Sequence, residues 1–193
     1  MKTHRTTTRV LALLLLISLP WIAAGKYPKT DTDFSLLPEY CKARYNRLPP
    51  GDVARWKRKL GRDFIHVHHM CAGLHTLNLA GRASSEKQKA ELLNSAIGAF
   101  NYVQRNAAPT FILQPEVAYR KAQAYERLGQ VPEALREYRR AISLNQGISR
   151  FYVDLARLQY RNGEKEAAVE TLTQGQKKRP HSRLIKKYLD KYR

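Results

Sequence analysis

Acidic residues and cysteines are scarce in this chain. Its 193 residues include 16 Asp+Glu against 35 Lys+Arg, and two cysteines, Cys41 and Cys71. Two cysteines cannot supply paired CxxC zinc ligands, and no CxxCH haem attachment is written. No HExxH, GxSxG, GxxxxGK[ST], glycine-rich dinucleotide turn or N-x-[ST] site occurs either. The carboxylates are scattered over helix faces with no convergent pair, so the chain reads as noncatalytic and no cofactor is implied. Long apolar runs are missing beyond residue 25. The run at the start, Val10 to Leu19, falls short of the roughly 20 residues that span a bilayer even when extended to Ala24.

That opening segment has the layout of a secretory signal. Lys2, Arg5 and Arg9 form a positive head, the apolar run follows, Pro20 breaks it, and Ala23, Ala24 and Gly25 offer a small-residue cut. The expectation is a signal peptide over 1–25 and an exported, periplasmic protein. The alternative is an uncleaved N-terminal anchor facing the periplasm. Removing 1–25 takes away three basic groups, leaving 35 − 3 = 32 against 16 acidic ones, a net charge near +16. Such a field favours polyanions. For an exported chain, a protein or peptide with an acidic surface, an anionic membrane surface or an envelope polymer is a better partner than nucleic acid; the plainer reading is that the cations only solvate outer helix faces. Export also suggests that Cys41 and Cys71 form one disulfide. Closing that loop contributes about 3 to 4 kcal/mol; two separate buried thiols are the alternative.

Taken in order, 26–62 reads as an extended lead followed by short helices. Leu36, Leu37, Tyr40, Cys41 and Arg44 are at helical spacing and predict one helix over 34–46, with Pro38 in its first turn. Leu48 to Gly51 breaks the chain. Asp52 is expected to cap a helix through Leu60, with Arg55, Lys57, Arg58 and Lys59 outward and Trp56 inward. In 63–114, Phe64, Val67, Met70, Cys71, Leu74 and Leu77 project onto one helical side. His68, Cys71 and His75 share enough of a face to meet one ion, so metal binding by the His66–His75 segment is one reading. Structural, hydrogen-bonded histidines are the other, and a disulfide would remove Cys71 as a ligand. Gly81 stops this helix. Ser85 and Gln88 are spaced as a capping box, opening a helix through Leu93, Ala96, Phe100 and Val103 to about Asn106.

From Pro115 to Pro180 a pattern is written twice. Gly129 and Gly163, Ala122 and Ala156, Ala134 and Ala168, and Arg127 and Arg161 are each 34 residues apart. A helix-turn-helix of that period is the mark of a stacked helical repeat, and it resembles the tetratricopeptide repeat. In that resemblance Ala122 and Ala156 sit where paired helices cross, Gly129 and Gly163 make the turns, and Ala134 and Ala168 open the second helices. Tyr138 or Leu172 and then Ala141 or Gly175 follow, and Pro180 closes the second copy. Gln146 replaces the closing proline of the first copy, and Lys121 stands where a leucine is usual. The pair over 63–114 looks like a degenerate first unit, since Ala96 and Phe100 are four apart like Ala134 and Tyr138.

The resemblance implies an all-α, right-handed superhelix with an N-terminal helical cap, repeats over 115–180, and a capping helix over 181–193. In the last, Leu184, Ile185, Tyr188, Leu189 and Tyr192 face inward and the basic residues outward. It further implies a noncatalytic scaffold or adaptor whose concave groove is lined by first helices. The groove positions it gives are Glu116, Tyr119, Gln123, Glu126 and Arg127, then Arg150, Val153, Arg157, Tyr160 and Arg161. Of these, Tyr119, Gln123, Arg127, Arg150, Arg157, Tyr160 and Arg161 are the candidate partner-binding residues, the arginines suited to bidentate contact with carboxylates. The second possible docking surface is the basic terminal helix, against an anionic membrane or polymer.

Overall fold

A computed structural model describes residues 26–193; the expected signal peptide at 1–25 lies outside the described residues. The order is α1 (Asp31–Ser35), α2 (Glu39–Arg44), α3 (Pro50–Leu60), a 3-10 turn (Gly61–His66), α4 (Val67–Ala80), α5 (Glu86–Asn106), α6 (Gln114–Arg127), α7 (Val131–Leu144), α8 (Ser149–Arg161), α9 (Lys165–Lys178) and α10 (Arg183–Tyr192). The fold is all-α, with no strand among the described residues. None of the described helices is long and apolar enough to cross a membrane.

The N-terminal cap corrects the single helix expected over 34–46. Two short helices form because the residue before a proline is pushed out of the α region: α1 ends at Ser35 with Leu36 as its C-cap, Leu37 lies between, and Pro38 stands at the N-cap of α2. The lead is also not fully extended. Thr30 accepts from the Asp33 amide at 3.2 Å, Asp33 accepts from the Thr30 amide at 2.9 Å, and this reciprocal cap starts α1. Helix α3 begins at Pro50 with Pro49 as its N-cap; Asp52 falls inside the first turn and pairs with Arg55 at 2.7 Å. The Cys41–Cys71 disulfide joins α2 to α4 with 5.7 Å between the Cα atoms, and both cysteines are fully buried. It replaces the option of two separate thiols.

The rest is a row of hairpins: α4 on α5, α6 on α7, α8 on α9, with α10 closing against α8 and α9. Shifting α7 by 34 residues gives 165–178, the bounds of α9. Gly129 and Gly163 turn the chain at φ 74° and 84°, the left-handed region where a side chain is strained. Ala122, Ala134, Ala156 and Ala168 are fully buried at the crossings. Close approach is also set by glycine. A Cβ on Gly175 would lie 2.7 Å from the Tyr152 ring, and one on Gly73 would lie 2.4 Å from Phe100 in the α4–α5 hairpin. Ser85 caps α5 by accepting from the Gln88 amide at 3.1 Å. Gln88 answers one residue earlier than expected, accepting from the amide and hydroxyl of Ser84 at 2.8 and 3.0 Å.

Lys121, the departure from the repeat pattern, has a structural answer. Its ammonium is buried and donates to Glu137 at 2.8 Å and Gln104 at 2.9 Å, while Gln104 donates to Glu137 at 3.0 Å. This closed triad joins α5, α6 and α7 and satisfies a charge that burial alone would make costly.

Candidate partner-binding groove

First helices α4, α6 and α8, with Tyr138 from α7, line a recess of about 330 Å³. Residues 120, 123 and 127 on α6, and 150, 154 and 157 on α8, are spaced three or four apart, so each set shares a helical side. Arg120, Gln123, Glu126 and Arg127 come from α6; Arg150, Asp154 and Arg157 from α8; Leu74, Leu77 and Asn78 from α4. Of the candidate residues, the fold brings Gln123, Arg127, Arg150 and Arg157 into this lining.

Two similar relays hold the floor. Tyr119 donates to Asp154 at 2.5 Å, Arg157 pairs with the other oxygen of Asp154 at 3.2 Å, and Gln123 donates to the Tyr119 hydroxyl at 3.0 Å. Tyr138 donates to Glu126 at 2.5 Å, and Arg161 pairs with the other oxygen of Glu126. Burial and then the bonded carboxylate push both phenols well above their ordinary range, so both stay protonated donors. Burial would lower Arg157, but the Tyr188 and Asp154 beside it outweigh that and raise it. Arg120 donates to Gln123 at 3.2 Å and to Glu116 at 3.4 Å, and Tyr40 meets the other oxygen of Glu116 at 3.3 Å.

The arginine row therefore divides. Arg157 and Arg161 are held by acids of the groove itself. Arg127 donates to the Leu77 carbonyl at 2.9 Å, and burial lowers its pKa. Neither Arg127 nor Arg150 has a carboxylate partner among the described residues. Five groove positions expected from the sequence lie outside this lining: Glu116, Tyr119, Val153, Tyr160 and Arg161. Val153 is 2% exposed in the core that α8 shares with α9 and α10. Tyr160 turns to the end of the stack, its ring parallel to Tyr192 at 4.0 Å, because α10 supplies an aromatic surface there. Tyr119 is nearly buried and presents its hydroxyl to Asp154 instead of a flat face to a partner.

Arg120, Asp154 and the α4 wall escaped sequence reasoning. The i,i+3 spacing of Asp154 and Arg157 is a signal that would have revealed their pairing; for the α4 residues the signal was the degenerate first unit over 63–114, whose register is too blurred to assign groove positions.

The histidine segment does not gather around one point. Cys71 is in the disulfide, the Nδ1 of His68 lies 2.6 Å from the Ile65 carbonyl, and the Nδ1 of His75 lies 3.9 Å from Asp33. Among the described residues no group of three His, Cys, Asp or Glu side chains is arranged to hold a metal ion. His69 packs tilted against Tyr102 with ring centroids 3.7 Å apart, and burial, then the neighbouring His68, Lys26 and His66, bring its pKa down to about 4.

Residues 115–148, which form α6, α7 and the turn after them, match the family model described as Tetratricopeptide repeat. The matched unit is a tetratricopeptide repeat, and α8–α9 repeat its helical bounds 34 residues on. Comparison with curated proteins found no match. Repeats of this family serve in general as scaffolds that bind proteins or peptides, typically without catalysis, and which partner they hold is a property of the groove and not of the fold.

Proposed function

We propose that this protein is an exported scaffold that holds an acidic peptide segment in the groove between α4, α6 and α8. The observation that carries this reading is the charge left over in the recess. Its lining has four arginines, Arg120, Arg127, Arg150 and Arg157, against two acids, Glu126 and Asp154. Glu116 answers Arg120 from outside the lining, which leaves Arg127 and Arg150 uncompensated. A guanidinium offers five donors in a planar fork, and the single bond from Arg127 to Leu77 leaves most of that fork available. The relays hold Tyr119, Tyr138, Arg157 and Arg161 in place before any ligand arrives, so little ordering is needed on binding. At about 330 Å³ the recess suits one or two side chains of an extended segment.

Export is supported by the signal-like pattern at the start of the sequence and by a disulfide of the kind that persists in oxidising compartments. Mass spectrometry of protein from fractionated cells tests it: a periplasmic chain starting near Lys26 is expected, and a full-length reduced chain in the cytoplasm would refute it.

Groove binding is tested on an array of ten-residue peptides with varied Asp and Glu content. The protein should select the acidic peptides, and Arg127→Glu with Arg150→Glu should abolish selection. Arg139→Glu with Arg140→Glu, an equal charge change at exposed positions of α7, should keep it. Equal loss in both double variants would reject the groove.

A further inference from the structure

The end of the stack carries a second charged surface, independent of the groove. Lys177, Lys178 and Arg179 close α9, and all three are exposed. Arg183, Lys186, Lys187, Lys191 and Arg193 follow on or beside α10, again exposed. Asp190 is the one acidic residue between 177 and 193, and Glu166 and Glu170 of α9 stand beside Arg193, so eight cations share this end with three anions. Every ion pair among the described residues lies at or before Arg161. None of the eight cations is ion-paired and they outnumber the neighbouring acids, whereas the groove spends half of its own charge on internal acids.

The apolar side of α10 is already used. Ile185, Leu189 and Tyr192 are buried against α8 and α9, and Leu184 and Tyr188 are half-buried beside them. No free apolar stripe is left to enter a hydrocarbon layer, so anything bound here is held by charge. Five of the eight cations are lysines, hydrated point charges that suit a diffuse layer of anionic groups better than a planar, bidentate site. Tyr160, exposed at this end, already stacks a ring face on Tyr192 at 4.0 Å, so the surface offers no row of open aromatic platforms for nucleic-acid bases.

We propose that the α9–α10 end docks on an anionic phospholipid surface, peripherally and by electrostatics alone. The groove is built from α4, α6, α7 and α8, so a chain docked through α10 keeps its recess open. Such binding follows surface charge and weakens as salt shortens the screening length.

Co-sedimentation of the full-length protein with vesicles is the test. Vesicles with about one-third phosphatidylglycerol should bind it at low salt, and binding should fall steeply by roughly 0.5 M salt. Phosphatidylcholine vesicles report any charge-independent binding, which is subtracted. Lys186→Glu, Lys187→Glu and Lys191→Glu together should weaken the charge-dependent binding by about tenfold or more. The corresponding Gln triple variant, which keeps α10 closer to its native charge balance, should weaken it less but measurably. Lys57→Glu, Arg58→Glu and Arg62→Glu, an equal change at the other end of the molecule, should leave it intact. No difference between the two vesicle types, or equal loss in the α10 variants and the N-terminal variant, overturns the proposal. So does retention on a soluble polyanion with no binding to charged vesicles.

Discussion

Replacing Lys121 with methionine should cost about 3 to 5 kcal/mol, the loss found when one partner of a buried ion pair is removed and the other charge is left behind. Here the charge left behind is Glu137, 5% exposed, with only the Gln104 amide to answer it. Methionine fills the stem of the lysine, so little of the loss comes from a cavity. At about 2.1 cal/mol/K per residue, 193 − 25 = 168 residues give an unfolding entropy near 0.35 kcal/mol/K, so the melting temperature should fall by about 9 to 14 °C. Lys121→Leu with Glu137→Leu should recover most of that, because apolar replacement of a whole buried pair is neutral or stabilising. What remains is the part-buried Gln104, left without its two partners. Urea unfolding followed by circular dichroism, with the disulfide intact, measures all three proteins. A Lys121→Met variant as stable as the parent would mean that the charge is solvated and that α5, α6 and α7 do not pack as described.

Reducing Cys41–Cys71 should cost about 3 to 4 kcal/mol, or roughly 10 °C in melting temperature, for a 30-residue separation; no shift under reductant would show that the α2–α4 link contributes nothing. Gly73→Ala should destabilise by about 1 to 3 kcal/mol, since its Cβ would sit 2.4 Å from the Phe100 ring, and calorimetry should show recovery with Phe100→Leu. His69 has a folded pKa of about 4 against an ordinary 6.5, so between those values the unfolded chain binds more protons; stability should be full above pH 6.5 and fall as the pH drops toward 4. His69→Gln should flatten that slope in a pH series of urea midpoints, and an unchanged slope would reject the assignment.

How far the sequence carried depended on how local the physics is. Gly129, Gly163 and the four alanines lie in a period that needs no partner to be read, and the caps of α5 and α10 are made by neighbours three residues away. The cysteine pair was legible from number and context alone. Longer-range choices were not. Tyr160 faces Tyr192, 32 residues later, and no pattern announces that stack. Arg161 is answered by Glu126, 35 residues earlier, and Tyr119 reaches Asp154 over the same separation, so the arginine row looked free when half of it is neutralised. Leu74, Leu77 and Asn78 enter the groove because the α4–α5 hairpin stacks as the degenerate unit that Ala96 and Phe100 suggested, a pattern too faint to assign its groove positions. At the N-terminus the miss was local: Thr30 and Asp33 form a cap that the reading of 26–33 as extended passed over.

A charge exchange across the groove, with affinities read by titration calorimetry, tests whether Arg127 and Arg150 meet the partner. An acidic ten-residue peptide should bind the parent and lose binding to the Arg127→Glu, Arg150→Glu protein. The same peptide with each Asp and Glu replaced by Lys should show the reverse preference. If the lysine peptide gains nothing from the exchanged protein while both proteins keep the same helicity, Arg127 and Arg150 do not meet the partner and the groove assignment is wrong.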